Sequence, residues 1–188
     1  MKERKHTIAS SKALSSALRS GFTRRRFIEA GALVGAGLVL PLPALAYERK
    51  KELDEAVQHS PLVYVTPFKS DGSESRCHGE VWFVADKGDL LVVTSPERWR
   101  AAAISRGLDK ARLWIGDHGV WKKAGDRFRA SPTCGATASI EADAAVHVRA
   151  LEAFGKKYAS SWESWGPRFK KGLASGERVL IRYTPSSD

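Results

Sequence analysis

Apolar positions along this chain gather into short β-rich runs, each closed off by turn residues. Residues 62–69 (LVYVTPFK) form the first such run, and Ser70, Asp71, Gly72 and Ser73 end it as a turn. A second run starts near Glu74 and passes through Cys77, His78 and Gly79 into Val81, Trp82, Phe83 and Val84. Asp86, Lys87, Gly88 and Asp89 then offer a tight turn before Leu90, Leu91, Val92 and Val93, so the pattern predicts a hairpin. With the first run it makes a three-stranded antiparallel meander. Residues 110–116 supply a fourth strand and Asp117, His118 and Gly119 its turn. Residues 127–140 contain a fifth, which Pro132 and Gly135 mark as an edge or a bulge. Residues 177–184 alternate Val179, Ile181 and Tyr183 against Arg178, Leu180 and Arg182, the period of a closing strand.

Between these runs the period changes to that of a helix. Residues 47–59 carry a thin stripe of Leu53, Ala56 and Val57. After Thr94, Ser95 suits an N-cap and Pro96 the first helical position, and Ala101, Ile104 and Leu108 then share one face, with Arg98 and Arg100 near the start and Gly107 as a stop. Asp143 suits the cap of a helix whose His147, Leu151, Phe154 and Tyr158 repeat on one face, where His147 reads as a packed histidine. Residues 159–175 hold Trp162, Trp165 and Phe169 in a spacing too irregular to assign. The order of elements predicts a mainly β, α+β fold: one small antiparallel barrel with flanking helices.

The front of the 188-residue chain belongs to none of this. Residues 1–46 hold eight Lys/Arg against Glu3 and Glu29, then an apolar, Gly-rich run over residues 30–40, then Ala44, Leu45 and Ala46 as a small-x-small cleavage pattern. Thr23, Arg24, Arg25, Arg26, Phe27 and Ile28 resemble the core of a twin-arginine export signal. That likeness implies a removable leader over residues 1–46, a mature domain over residues 47–188, contact with the twin-arginine translocation machinery and a periplasmic or extracellular destination. A general secretory signal and a membrane anchor are the alternatives, but the apolar run is shorter than the ~20 residues of a comfortable span, so no stable span is expected after cleavage.

Charge changes meaning once the leader is set apart. The whole chain is +10, but residues 47–188 hold 23 Lys/Arg against 19 Asp/Glu. An excess that small does not call for nucleic acid. Cys77 and Cys134 are the two cysteines, and an export route through an oxidising compartment and a reducing cytoplasm leaves both a bridge and two free thiols open. No Walker loop, Gly-x-Gly-x-x-Gly, His-Glu-x-x-His, Cys-x-x-Cys or Gly-x-Ser-x-Gly occurs, and His59, His78, His118 and His147 lack metal-ligand spacing. No metal site and no catalytic side chain is assigned. One feature carries chemistry: Thr94, Ser95, Arg98 and Arg100 bring hydroxyls and guanidiniums together where a strand feeds a helix, an arrangement suited to a phosphate.

With the strand of residues 62–69, the Val81, Trp82 and Phe83 segment, the strand ending in Thr94, the basic residue Arg100 and the strand around residues 111–115, the chain resembles the FMN-binding split β-barrels of the pyridoxamine 5'-phosphate oxidase-like superfamily. The resemblance covers residues 60–183 in order and composition. It implies a flavin phosphate at Thr94, Ser95 and Arg100 with Arg98 as helper, and an isoalloxazine ring along Gly79, Glu80, Val81 and Trp82. It also implies a cleft between two subunits of a homodimer and an oxidoreductase acting on a small molecule, in which the cofactor carries the hydride. Trp82, Trp162, Trp165 or Arg182 would shape the pocket over the ring. Two alternatives keep the same barrel: a deazaflavin reductase, or a non-catalytic protein binding flavin or haem.

Overall fold

The computed structural model describes residues 42–186, and the leader expected over residues 1–46 lies for the most part outside them. Its elements run α1 (Leu42–His59), β1 (Leu62–Pro67), β2 (Gly79–Val81), β3 (Val84–Asp86), β4 (Asp89–Thr94), α2 (Trp99–Ser105), β5 (Lys110–Gly116), α3 (Trp121–Ala124), a 3-10 segment (Gly125–Ala130), β6 (Thr133–Glu141), α4 (Ala144–Lys157), α5 (Ala159–Ser175) and β7 (Val179–Pro185). All seven strands join one antiparallel sheet in the order β2-β1-β5-β6-β7-β4-β3.

That order makes the sheet curl. β2 and β3 are consecutive in the chain yet lie at opposite edges, joined only through Trp82 and Phe83. Three residue steps from Val81 to Val84 reach about 11 Å at most, whereas the outer strands of a flat seven-stranded sheet stand about 29 Å apart at ~4.8 Å per step. The sheet is therefore rolled until its edges nearly meet. The expected second strand is thus two strands, split where the chain changes edge, and the expected meander is replaced by a hairpin, β3–β4, that borders β7.

Curling sorts the alternating side chains into an inside and two outsides. Val63, Val65, Leu113, Ile115, Ile181 and Tyr183 face inward with Phe83, and the stripe of α1 packs on this cluster. On one outer face Leu91, Val93 and Leu180 are covered by Val146, Ala150 and Phe154 of α4 and Phe169 of α5. On another, Tyr64 and Trp114 are covered by Phe128 of the 3-10 segment.

The turn between β3 and β4 is as expected, with Lys87 and Gly88 both at positive φ (56° and 91°), the pair of left-handed residues a two-residue hairpin uses. Asp143 caps α4, its carboxylate accepting from the Ala145 N–H at 2.8 Å. His147 is a packed histidine, held by the Glu141 carbonyl at 2.8 Å. Two expectations are corrected, and two points that the sequence leaves open are decided. Ser95 and Pro96 do not open a helix: they lie in a turn, and α2 starts at Trp99 with Arg98 at its N-cap. β6 is an interior strand between β5 and β7, with Pro132 just ahead of it and Gly135 paired to Arg112. Residues 159–175 are a helix with Pro167 inside it. Cys77 is exposed, Cys134 buried, and both are free thiols.

Lys157, at the end of α4, is a half-buried amine lying 3.5 Å from the centre of the Phe83 ring, with Nζ also 3.4 Å from the Val57 carbonyl. Burial pulls its pKa down to about 8. Unfolding returns it toward the ordinary lysine value, so the unfolded chain binds more protons between those pH values and stability rises as pH climbs through the interval. The melting temperature of the native chain relative to Lys157→Met is expected to increase from pH 8 to pH 10; a difference that is flat with pH would show the amine to be as free in the fold as outside it.

Candidate functional site

One end of the barrel is built by the first residue of β2, the last of β4 and the first turn of α2. Thr94 is buried at the end of β4, where it pairs with Val179. Gly79 opens β2 opposite Val65. From α2 the Arg100 side chain turns back between them: Nη1 donates to Thr94 Oγ1 at 3.0 Å, and a Cβ on Gly79 would sit 2.7 Å from Nη2. Only glycine leaves room for the guanidinium in this position.

Arg100 is the unusual group of the fold. Its Nε is buried without a hydrogen-bond partner, and among the described residues no carboxylate lies within ion-pair reach of its guanidinium. Burial lowers its pKa from the usual arginine value, and Arg98 nearby acts in the same sense, while Tyr183 and Glu80 oppose it. An arginine stays charged in proteins regardless. A cation desolvated without a partner is costly, so this end of the barrel is poised for an anion. The ring of Trp99 lies under the guanidinium at 5.1 Å and supplies a face that tolerates the charge.

The other expected site residues are distributed unevenly. Ser95 is half-buried, its Oγ a long 3.4 Å from the Glu97 N–H, and Arg98 is exposed at the start of α2. Both adjoin Thr94 and Arg100 along the chain. Val81 packs on the inner cluster. Glu80 points to the opposite side of β2, where Oε2 accepts from the Trp121 N–H at 3.2 Å. Trp82 turns outward to stack on Tyr158 with ring centres 4.3 Å apart and planes within 6°. The structure brings Gly79, Thr94 and Arg100 into contact and sends the side chains of Glu80 and Trp82 elsewhere, so any ring laid along this segment would be met by backbone groups. Trp162 and Trp165 belong to α5, and Arg182 is tied on the outer face to Asp89 and Glu141, so none of the three borders Arg100.

Sequence reasoning passed over Trp99 and Tyr183 as site residues. Both line the hollow beside Arg100, together with Val65, Pro67 and Ile104. The inward phase of the last strand already marked Tyr183, but nothing local linked it to a residue more than eighty positions earlier. The hollow has room for about one water molecule, far below the ~300–1,000 Å³ of ordinary cofactor sites.

Gly79→Ala tests the close approach. The Cβ meets the far end of a flexible side chain, so the melting temperature should change by about 3 °C or less while the guanidinium is pushed off Thr94. Anion affinity is expected to fall about tenfold, as when one charge-assisted hydrogen bond is lost. Retained affinity would remove Gly79 from the site.

The backbone can be compared with solved structures. HutZ, the heme storage protein from Vibrio cholerae, matches over 74% of this chain and 91% of that chain, at 16% identity and a TM-score of 0.51. ChuZ from Campylobacter jejuni matches over 74% of this chain and 54% of that chain, at 13% identity and a TM-score of 0.54. The fold is a split barrel. Identity this low speaks for the split barrel alone. No protein-family model matches the chain, and no curated protein matches it in sequence.

Proposed function

We propose that the chain is an exported, FMN-dependent oxidoreductase that works as a homodimer on a small-molecule substrate. The observation that carries this reading is Arg100: a largely buried side chain with an orphaned Nε and, among the described residues, no carboxylate within ion-pair reach, held beside the Thr94 hydroxyl over a glycine. A phosphate monoester fits that donor set in charge and in hydrogen-bonding capacity. Arg100 and Thr94 would hold the phosphate, with Ser95 and Arg98 adding donors from the following turn. The backbone of residues 79–82 would border the ring. When bound, a flavin supplies hydride transfer, which is the chemistry this chain's side chains do not offer.

The rest of the work falls to the protein. Val65, Ile104 and Tyr183 line the hollow beside Arg100 and limit the water there, and Trp99 braces the guanidinium so that its donors are pre-aimed. The hollow beside Arg100 is too small for a whole flavin, so the reading takes its remaining wall from a second copy of the chain. The leader resemblance supports folding, with cofactor, before export.

Protein purified without added cofactor should show the flavin absorption bands in the blue. Stripped protein should bind FMN about 100-fold more tightly than riboflavin, because riboflavin lacks the phosphate that Arg100 would pair. Equal affinities would remove the phosphate from the reading. Absorption of a deazaflavin or a Soret band of haem would replace FMN by that cofactor, and a colourless protein that ignores added FMN would overturn the flavin assignment altogether. Export is tested by Arg24→Lys with Arg25→Lys, which should hold the chain in the cytoplasm.

A further inference from the structure

On the surface away from Arg100, charge and aromatic side chains are distributed unequally. Residues 144–178, which contain α4 and α5, hold seven Lys/Arg against three Glu, while the remainder of residues 47–188 is balanced at sixteen of each. The net charge of the mature domain is thus concentrated on one helical hairpin. Of its cations, Arg149 is taken up by Asp86, whereas among the described residues Arg168, Lys171 and Arg178 form no ion pair with a carboxylate.

We propose that this hairpin docks on an anionic bilayer surface through a ridge formed by Trp165, Arg168 and Lys171. The three follow at i, i+3 and i+6 on α5, so they lie along one exposed flank. Trp165 is 37% exposed, a large share for a tryptophan in a helix that packs on a core. Its ring is held by the edges of Trp82 and Phe169, with centres 5.9 and 6.1 Å away, and Arg168 lies over it at 5.2 Å. Arg178 extends the cationic flank: it lies over Phe169 at 5.3 Å and against Gly172, where a Cβ would sit 2.6 Å from its Cγ. An indole that is braced outward and flanked by unpaired guanidinium and ammonium groups is the chemistry of the lipid headgroup region, where the ring takes the interface and the cations take anionic phosphates. A soluble polyanion would use the cations and have no need of the exposed indole. No helix among the described residues is long and apolar enough to cross a membrane, so the attachment is peripheral.

The leader is itself basic, so the test must report on the ridge rather than on attachment in general. Tryptophan fluorescence does this, because residues 1–46 contain no tryptophan. The full chain is mixed with vesicles of brominated phosphatidylcholine, with or without 30 mol% phosphatidylglycerol. Quenching is expected with the anionic vesicles alone and should disappear at 500 mM salt. Trp165→Phe should abolish most of it. Arg168→Glu with Lys171→Glu should shift the lipid concentration for half-quenching upward by about 25-fold or more, at about fivefold for each lost cation. Equal quenching with neutral vesicles, quenching that survives in Trp165→Phe, or an unchanged half-point in the charge-reversed chain would each overturn the proposal. Binding to heparin without quenching by vesicles would assign the ridge to a soluble polyanion and overturn it as well. Since none of these residues touches Arg100, the result is independent of the flavin reading.

Discussion

Arg100→Met is expected to leave the free protein as stable as before or to raise its melting temperature by about 3 °C, while weakening FMN binding by about 100-fold. The two effects have one cause. Arg100 is held in the barrel end with its Nε unsatisfied and, among the described residues, no carboxylate within ion-pair reach, so the unliganded fold bears a desolvated charge. Methionine keeps the apolar stem against Trp99 and removes the charge, a replacement that is commonly neutral or stabilising by about 1 kcal/mol or more at such sites. The bound anion loses two charge-assisted hydrogen bonds, each worth about 1.5–3 kcal/mol. Thermal melts and FMN titrations on the same sample decide it. A marked fall in melting temperature would show Arg100 to be a structural anchor for Thr94 and β2, and undiminished FMN affinity would take it out of the cofactor site.

The second large effect concerns the place where the chain changes edge. Tyr158→Phe should destabilise the fold by about 2–3 kcal/mol, through a buried donor left unpaired, and lower the melting temperature by about 8 °C. The Tyr158 hydroxyl accepts from the Phe83 N–H at 2.9 Å and lies 2.9 Å from the carbonyls of both Pro61 and Phe83. One oxygen therefore ties the β2-to-β3 crossover to the entry of β1. Burial raises the phenol's pKa, so it stays protonated and able to donate at any ordinary pH. Phenylalanine keeps the stack on Trp82 but orphans the Phe83 N–H. A loss of less than about 1 kcal/mol would mean that the crossover is held by ring packing alone.

Much of the fold could be read along the chain. Residues 110–116 were placed as a strand to the residue, the turn at Lys87 and Gly88 was recognised from its composition, and Asp143 was identified as a cap. These are local matters, decided within a few residues. The helix over residues 159–175 was not legible, because Gly166, Pro167 and Gly172 lower its local propensity. Both glycines are explained by close side chains: at Gly166 a Cβ would lie 2.8 Å from Trp162, one turn earlier in the same helix, and at Gly172 it would lie 2.6 Å from Arg178, just past the helix end. Ser95 was misread as a cap because Ser-Pro-Glu suits both a helix start and the turn that the chain makes here.

The candidate site divides in the same way. Thr94 and Arg100 are six residues apart, and that a strand end and the following helix bring them together was visible from sequence. Gly79 joined them through resemblance, and the structure adds a steric reason for the glycine. That Glu80 and Trp82 turn away follows from the pleat, but the faces they turn toward depend on where α3 and α5 come to rest.

The sequence by itself determined where β1, β4, β5 and β7 run and that Val179, Ile181 and Tyr183 of β7 share one face, because a period of two is written into each strand separately. Only the tertiary structure decided that the sheet rolls until Trp82 and Phe83 can pass from one edge to the other, and that Arg100 is enclosed there without a counter-charge. Both depend on the pairing of strands far apart in the chain, β4 with β7 and β1 with β5. No local window contains the partners whose packing sets that closure.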